Sequence, residues 1–251
     1  MESTKNSSSV MKNTSKISLA VLIILWVLSF IAFINSLILV DWFKIGLSLA
    51  ALVLYLLPLF IRKVLKVSLS TALEVIYYLF IFASLILGEV FAFYGPFPFW
   101  DIILHFLSGF ILAGIGFSLI GLLGKGKQTM LFSLLFAFCF SMTLGAMWEC
   151  LEFTFDTVVG TDAQKDTHLR NISTITMQRD GGNHPVRVEN IERTEVYLAN
   201  GEVITIDEGY LDIGLMDTMK DTLINTAGAT LFVVVGALGF ADKKKLTITK
   251  N

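Results

Sequence analysis

Three apolar segments in the second half of the chain carry side chains that could bind a metal ion or move a proton. These residues are Asp101 and His105 in WDIILHF, Glu149 and Glu152 in MWECLEF, and Asp217, Asp221 and Asn225 in MDTMKDTLIN. Within each segment they stand three or four residues apart, so a helix presents them as neighbours on one face. A close group of carboxylates cannot stay fully ionised without a counter-charge. It must protonate, pair with a cationic side chain or bind a cation.

A divalent cation suits this mixture, because acidic oxygens with one imidazole and one amide match the preferences of Mg²⁺, Ca²⁺, Mn²⁺ or Zn²⁺. The predicted metal ligands are Asp101, His105, Glu149, Glu152, Asp217 and Asp221, with Asn225 as a further polar group of the site. In a catalytic version of the site, Glu149 or Asp221 acts as the general base and His105 as its proton partner. The sequence has no HExxH helix, GxSxG elbow or Gly-rich phosphate loop, so no particular reaction is predicted.

Several of these residues also have ordinary structural explanations. Asp101 and Asp217 stand where a helix needs an N-cap, and a lone histidine in a bundle is more often hydrogen-bonded than a ligand. Glu149, Asp221 and Asn225 lie deeper in their segments and have no capping duty. They are therefore the strongest candidates for a functional role.

The composition indicates that these segments cross a membrane. Hydrophobic residues make up 55% of the chain and charged residues 16%, whereas a soluble globular chain has roughly a quarter charged residues. The net charge of -2 gives no basic excess, so no nucleic-acid partner is predicted. Six apolar runs are long enough to span a bilayer as helices, the structure in which lipid-exposed backbone satisfies itself. They are Ile17–Val40, Ile45–Ile61, Thr71–Phe93, Ile102–Leu123, Met130–Phe155 and Asp217–Phe240.

The positive charges of the connecting segments predict the orientation. Lys and Arg concentrate before the first run, between the second and third, between the fourth and fifth, and after the sixth. Both termini are therefore expected in the cytoplasm of a multi-pass protein of the cell membrane. The predicted organisation is a cytoplasmic tail (1–16), five spans (17–155), an extracytoplasmic loop (156–212), a sixth span (213–240) and a basic cytoplasmic tail (241–251).

The long loop is expected to contain a small β flap. Thr194–Ile206 has two alternating runs around Asn200-Gly201, the favoured pair for a two-residue hairpin turn. Asn171–Gln178 is a candidate for a further strand. The alternative is a mobile loop with one marginal hairpin. The fold class predicted from the sequence is thus an all-α polytopic membrane protein with a small β-hairpin insertion.

Small residues continue each polar face deeper into its segment. They are Gly109, Ala113 and Gly116 in the fourth run, Ser141 and Gly145 in the fifth, and Gly228, Ala229 and Gly236 in the sixth. Such residues let membrane helices approach closely. The faces that meet by packing are then the faces that carry the carboxylates, which predicts one shared pocket on the non-cytoplasmic side. Glu74 and Glu89 in the third run are isolated and are not assigned to it.

The segments WDIILHFLSGF, MWECLEFTFD and GYLDIGLMDTMKDTLINTAGA resemble the YjdF-like bacterial inner-membrane proteins, whose biochemical role is uncharacterised. Their arrangement is also distantly similar to VanZ-like proteins, which have a D-x-x-x-H element, a Glu on a middle helix and a D-x-x-x-N-x-x-G element. The matching positions are Asp101 and His105, then Glu149, then Asp221, Asn225 and Gly228. The VanZ-like pattern continues from its Glu as E-x-x-Q followed by Arg, whereas this chain has Glu152 and no matching Arg. The resemblance implies a bacterial-type envelope protein and supplies no reaction.

Three functions remain open from the sequence. The first is an outward-facing site that binds a divalent cation or the headgroup of a lipid or cell-wall precursor. The second is a cation- or proton-coupled transporter that uses the same residues as a relay; no broken helix centre and no inverted repeat is expected from the sequence, which counts against it. The third is a structural membrane protein in which the polar cluster only holds the bundle together.

Overall fold

The computed structural model describes residues 15–65, 71–124, 127–179 and 181–248. Within these ranges, six helices are long and apolar enough to cross a membrane, which confirms the predicted number and fold class. In chain order the spans are Lys16–Ile38, Trp42–Val64, Thr71–Val90, Trp100–Gly121, Met130–Val159 and Leu215–Gly239. The second span is longer than predicted at both ends, and the sixth begins two residues earlier.

Two compact units divide the chain, and the boundaries fall inside the fifth and sixth spans. The first unit comprises residues 1–145 and 224–251, and the second comprises residues 146–223. In the first unit, spans one to three enclose a common core. Its buried apolar members are Leu22, Leu25, Ala32, Ala51, Tyr55, Tyr78, Ile81, Ile86 and Val90.

The second span is not a regular helix. An α-helix over Trp42–Leu54 is followed by a turn, a short helix over Leu57–Phe60 and a π-helical segment over Ile61–Leu65. Pro58 has no N–H to bond to the carbonyl four residues earlier, so the carbonyl of Leu54 loses its helical partner. The hydroxyl of Tyr77 donates to that carbonyl at 3.0 Å. The expectation that no span is interrupted was therefore wrong.

The third span changes from α-helix over Thr71–Ile81 to a nine-residue π-helix over Phe82–Val90. The indole nitrogen of Trp100 donates to the carbonyl of Ala83 in this segment at 3.1 Å. Its ring also packs edge-on against Phe93. These contacts fix the first residue of the fourth span against the third.

Spans four to six are α-helices over Trp100–Leu123, Met130–Val159 and Leu215–Ile248. Small residues bring the fourth and sixth spans into close contact in the first unit. A methyl group on Gly109 would collide with the carbonyl oxygen of Asn225, and one on Gly228 would collide with that of Phe106. The predicted role of the small residues in close packing is confirmed at these positions.

In the second unit, the segment between the fifth and sixth spans forms three antiparallel strand pairs, β1 with β6, β2 with β3 and β4 with β5. The strands are Thr167–Leu169 (β1), Ile172–Thr174 (β2), Val186–Val188 (β3), Arg193–Tyr197 (β4), Val203–Asp207 (β5) and Tyr210–Asp212 (β6). The predicted strand at 171–178 exists only as β2.

The predicted hairpin is β4–β5, but its turn is not the expected two-residue one. Tyr197 pairs with Val203, and the amide of Leu198 donates to the carbonyl of Glu202. Three residues, 199–201, therefore form the loop, and Gly201 has a φ of 87°. This arrangement is a three-residue hairpin loop whose last residue lies in the left-handed region, a common hairpin connection.

Candidate functional site

The fourth span brings Asp101 and His105 together as the sequence predicts. The His105 Nε2 and Asp101 Oδ1 atoms are 3.6 Å apart, and their side chains are 13% and 20% exposed. The helix begins at Trp100, so Asp101 lies inside the first turn and not at the N-cap. A carboxylate beside an imidazole can share a proton or offer two ligands to one cation.

One turn deeper, Asn225 joins three spans of the first unit. Its side chain is 2% exposed. Its Oδ1 atom lies 3.2 Å from the Ser108 hydroxyl, which shares its one proton between Oδ1 and the carbonyl of His105 at 2.8 Å. Its Nδ2 atom lies 3.9 Å from the Met142 sulfur. A methyl group on Gly145 would lie only 2.7 Å from Nδ2. The amide therefore needs glycine on the fifth span.

Ser108 was not among the residues singled out from the sequence. It follows His105 by three residues on the same face of the fourth span, and that spacing is the signal that could have identified it. A second hydroxyl link, from Ser141 to the carbonyl of Gly109 at 2.9 Å, joins the fifth span to the fourth. Ser141 was expected only as a small packing residue.

In the second unit, the two glutamates of the fifth span have different surroundings. Glu149 is 6% exposed, whereas Glu152 is half-buried. Glu152 accepts a hydrogen bond from the indole nitrogen of Trp148 at 2.8 Å, and Trp148 is itself exposed. Glu149 is thus the glutamate on the buried side of its helix.

Asp217 and Asp221 are both buried on the sixth span, at 8% and 4% exposure. Asp217 accepts a hydrogen bond from the backbone amide of Lys165 at 2.9 Å. It is not an N-cap, because the helix begins at Leu215 and the carboxylate of Asp212 binds the amide of Met216 at 2.7 Å. Asp212 performs the capping that was proposed for Asp217.

Asp156 was predicted only as the first residue of the extracytoplasmic loop. It lies within the fifth helix, which continues to Val159. One of its oxygens accepts hydrogen bonds from the Thr161 hydroxyl and the Ala163 amide, at 2.8 and 2.6 Å, and the other accepts one from the Gln164 amide at 2.8 Å. Asp156 therefore organises the segment that follows the helix.

Residues 17–241 match the family described as Predicted membrane protein (DUF2238). The chain belongs to this family. The match includes all six spans and the β segment between the last two. Neither the curated proteins nor the solved structures gave a match.

Membership of a membrane-protein family gives the burial of these side chains its significance. Asp221 and Asn225 lie inside the span Leu215–Gly239, and His105 lies inside Trp100–Gly121. Ionisable groups within membrane spans are costly, face a bundle interior or cavity, and commonly mark functional sites. The DUF2238 chain therefore has a multi-pass location in a bilayer, with polar groups inside its fourth, fifth and sixth spans.

Proposed function

We propose that this protein binds a divalent cation, or the headgroup of a lipid or cell-envelope precursor, at the outer ends of its fourth, fifth and sixth spans. The contact between Ser108 and Asn225, with Gly145 beside the same amide, is the main support for this proposal. It fixes which faces of three helices meet.

The residues one turn from that contact follow from helix geometry. Spans four and six run in the same direction across a membrane because one span separates them, and the fifth runs opposite. One turn towards the predicted outer side of Ser108, Gly145 and Asn225 are His105, Glu149 and Asp221 respectively. A further turn on the fourth and sixth spans reaches Asp101 and Asp217. His105, Glu149 and Asp221 are therefore expected at one depth, with Asp101 and Asp217 one turn further out.

Asp101, His105 and Asp221 are the proposed ligands of the cation. Two carboxylates and one neutral imidazole offset the charge of a divalent ion and leave coordination positions open for water or a phosphate oxygen. Glu149 then acts as a further ligand or as the general base, and Asp217 and Glu152 contribute negative charge from the rim. A metal held in this way would bind the phosphate of a precursor headgroup. The YjdF-like and VanZ-like elements at these positions support a role in the bacterial cell envelope.

Metal content tests the proposal. Protein purified in detergent and exposed to Mg²⁺, Ca²⁺, Mn²⁺ or Zn²⁺ is expected to retain one of these ions in stoichiometric amount after desalting. Asp221→Asn, which keeps the side-chain shape, is expected to lose it. Asp207→Asn, which removes an exposed carboxylate of β5, serves as the matched control and should retain it. The same metal content in wild type and Asp221→Asn contradicts the cation site.

A coupled transporter that uses the same residues as a relay is the second candidate. The irregular second and third spans support it, because interrupted helices are characteristic of transporter sites. Uptake of the bound cation into proteoliposomes, driven by a pH gradient, is the distinguishing assay. Binding without uptake supports the first function, and uptake that is lost in Asp221→Asn supports the second.

A further inference from the structure

Spans one to three enclose polar side chains that the outer site does not use. Each of them is at most 2% exposed. They are Ser18, Ser29 and Ser36 on the first span, Ser48 and Tyr55 on the second, and Glu74 and Tyr78 on the third. Polar groups buried in a membrane bundle are costly, so this concentration requires an explanation.

An ion pair closes one end of this polar interior. The carboxylate of Glu74 accepts a hydrogen bond from the Ser18 hydroxyl at 2.5 Å and forms an ion pair with the guanidinium of Arg62. Arg62 is 21% exposed, whereas Glu74 is 2% exposed. The pair thus joins a buried acid to a cation that reaches the edge of the bundle. Glu74 appeared isolated in the sequence because both partners lie on other spans.

Hydroxyl groups continue from the ion pair towards the middle of the bundle. Tyr78 follows Glu74 by one helical turn, and its ring packs edge-on against Tyr55 at a centroid distance of 6.1 Å. The Tyr55 and Ser29 hydroxyls are 3.1 Å apart. Tyr55 immediately follows the helix that ends at Leu54, next to the carbonyl bound by Tyr77. The polar interior therefore passes the kink of the second span.

Two more hydroxyls extend the series towards the opposite end. Ser36 donates to the carbonyl of Ala32, and Ser48 is fully buried with no hydrogen-bond partner for its hydroxyl within the described part of the chain. Ser18 and Ser36 are about 27 Å apart along the first span at a rise of 1.5 Å per residue. The hydrocarbon core of a bilayer is about 30 Å thick. The series thus covers most of a membrane.

Close packing alone does not account for these residues. Small side chains such as serine allow helices to approach, and this could explain Ser29 and Ser36. It does not explain the Ser48 hydroxyl, which is buried without a hydrogen-bond partner among the described residues, because a purely structural interior would satisfy its polar groups or omit them. Nor does it explain the buried carboxylate of Glu74, which is costly inside a membrane span even when it is paired.

We propose that this interior is a proton path, with Glu74 as the proton acceptor at one end and Arg62 as its counter-charge. When Glu74 takes up a proton, its attraction for Arg62 falls, and the guanidinium can turn towards the exposed edge. Each hydroxyl, with water between the more distant pairs, accepts a proton on its oxygen and passes its own proton onward. No oxidant or second substrate is required. Among the described residues, the groups that face Glu74 are Arg62, Ser18 and Tyr78. The path does not depend on the outer cation site.

Proton flux through the full-length protein tests the path. Proteoliposomes that contain a pH-sensitive dye are given a potassium diffusion potential with valinomycin, and internal pH is followed. Wild type is expected to conduct protons above the rate of protein-free liposomes. Glu74→Gln removes the acceptor and is expected to lower the flux by about a hundredfold, the scale of a lost proton-transfer group. Ser118→Ala, which removes an exposed hydroxyl of the fourth span, should conduct as wild type does.

Tyr55→Phe is a second test variant, needed because Glu74→Gln leaves Arg62 without its carboxylate and can disturb folding. This change preserves the ring and removes only the hydroxyl that meets Ser29, so reduced flux with an unchanged melting temperature supports the path. Wild-type flux equal to that of protein-free liposomes, or undiminished flux in well-folded Tyr55→Phe, overturns the proposal.

Discussion

The Oδ1 atom of Asn225 on the sixth span accepts a hydrogen bond from the hydroxyl of Ser108 on the fourth span, at 3.2 Å. The contact is possible because Gly109 and Gly228 bring the two helix backbones together. A buried amide with a defined partner fixes the rotation of both helices about their axes. This rotation also determines the direction of the acidic side chains one turn further out, so the proposed site depends on this pair.

Close packing of the fourth and sixth spans predicts that Gly109→Ala is destabilising. The added methyl group meets a backbone carbonyl, which cannot move as a flexible side chain could. A loss of about 1–3 kcal/mol is expected for such overpacking, measured by thermal unfolding in detergent. Gly121→Ala on the same span is the matched control, since a methyl group there meets nothing within 4 Å. Equal melting temperatures for the two variants would contradict the packing described.

The kink of the second span predicts a coupling between Tyr77 and Pro58. Tyr77→Phe leaves the carbonyl of Leu54 without its donor, which is expected to cost about 1–3 kcal/mol. Pro58→Ala restores a backbone N–H at position 58, and this N–H can donate to the same carbonyl. The Tyr77→Phe change should therefore cost much less in the Pro58→Ala background, as measured by a double-mutant cycle of unfolding free energies. Strict additivity would rule out the compensation.

The contact between Trp100 and Ala83 predicts that the third span positions the Asp101–His105 pair. Trp100→Phe removes the indole donor from the turn that carries Asp101. Loss of such an outer partner is expected to weaken cation binding by about tenfold or more, measured by titration calorimetry. Trp26→Phe, on the outside of the first span, is the control and should bind normally. A Trp100→Phe protein with wild-type affinity would show that the contact has no influence on the site.

Asp162 should contribute less to the stability of the segment after the fifth span as pH rises. Partial burial raises the pKa of Asp162, and the negative charges of Asp166 and Asp156 add to the effect. The folded segment therefore holds the Asp162 proton more tightly than the unfolded chain does, and the stability that this residue contributes falls as pH rises from the ordinary value of 3.8 through the raised one.

Hydrogen exchange of the Ala163 and Gln164 amides measures that effect. Asp162→Asn should slow their exchange at pH 7, where the wild-type carboxylate is ionised, and should make little difference near pH 3, where it is protonated in both states. Faster exchange of these amides in Asp162→Asn at pH 7 would contradict the predicted destabilisation by the ionised Asp162.

The sequence was sufficient to predict the features that depend on local composition. Six spans follow from the length of apolar runs, and the hairpin follows from alternation around Asn200-Gly201. Its loop was one residue longer than expected because the amide of Leu198 pairs with Glu202, a choice between two turn types that the same residues allow. The second span was predicted to end at Ile61, yet it continues to Val64, past the interruption before Pro58. Tyr77, from another span, donates to the carbonyl that the proline leaves without a helical partner.

Contacts between residues that are far apart in the sequence could not be predicted from it. Glu74 appeared isolated because Arg62 and Ser18 are on separate spans. Ser108 was not selected because its partner Asn225 is 117 residues away in the sequence. The roles of Asp156 and Asp212 depend on backbone amides of the following segments, which carry no side-chain signal.

The proposed site requires the fourth and sixth spans to share one pocket, and cross-linking between them tests this requirement. His105→Cys and Asp221→Cys are combined in a chain whose Cys139 and Cys150 are replaced by serine, with a protease site inserted after Gly181. A short bifunctional methanethiosulfonate joins two thiols that face one pocket and does not need the Cβ separation of about 4 Å that a direct disulfide needs. After cross-linking and cleavage, the two fragments should remain joined until a reductant is added, whereas the His105→Cys/Lys220→Cys control should separate. Fragments of the first pair that separate without a reductant would contradict the shared pocket.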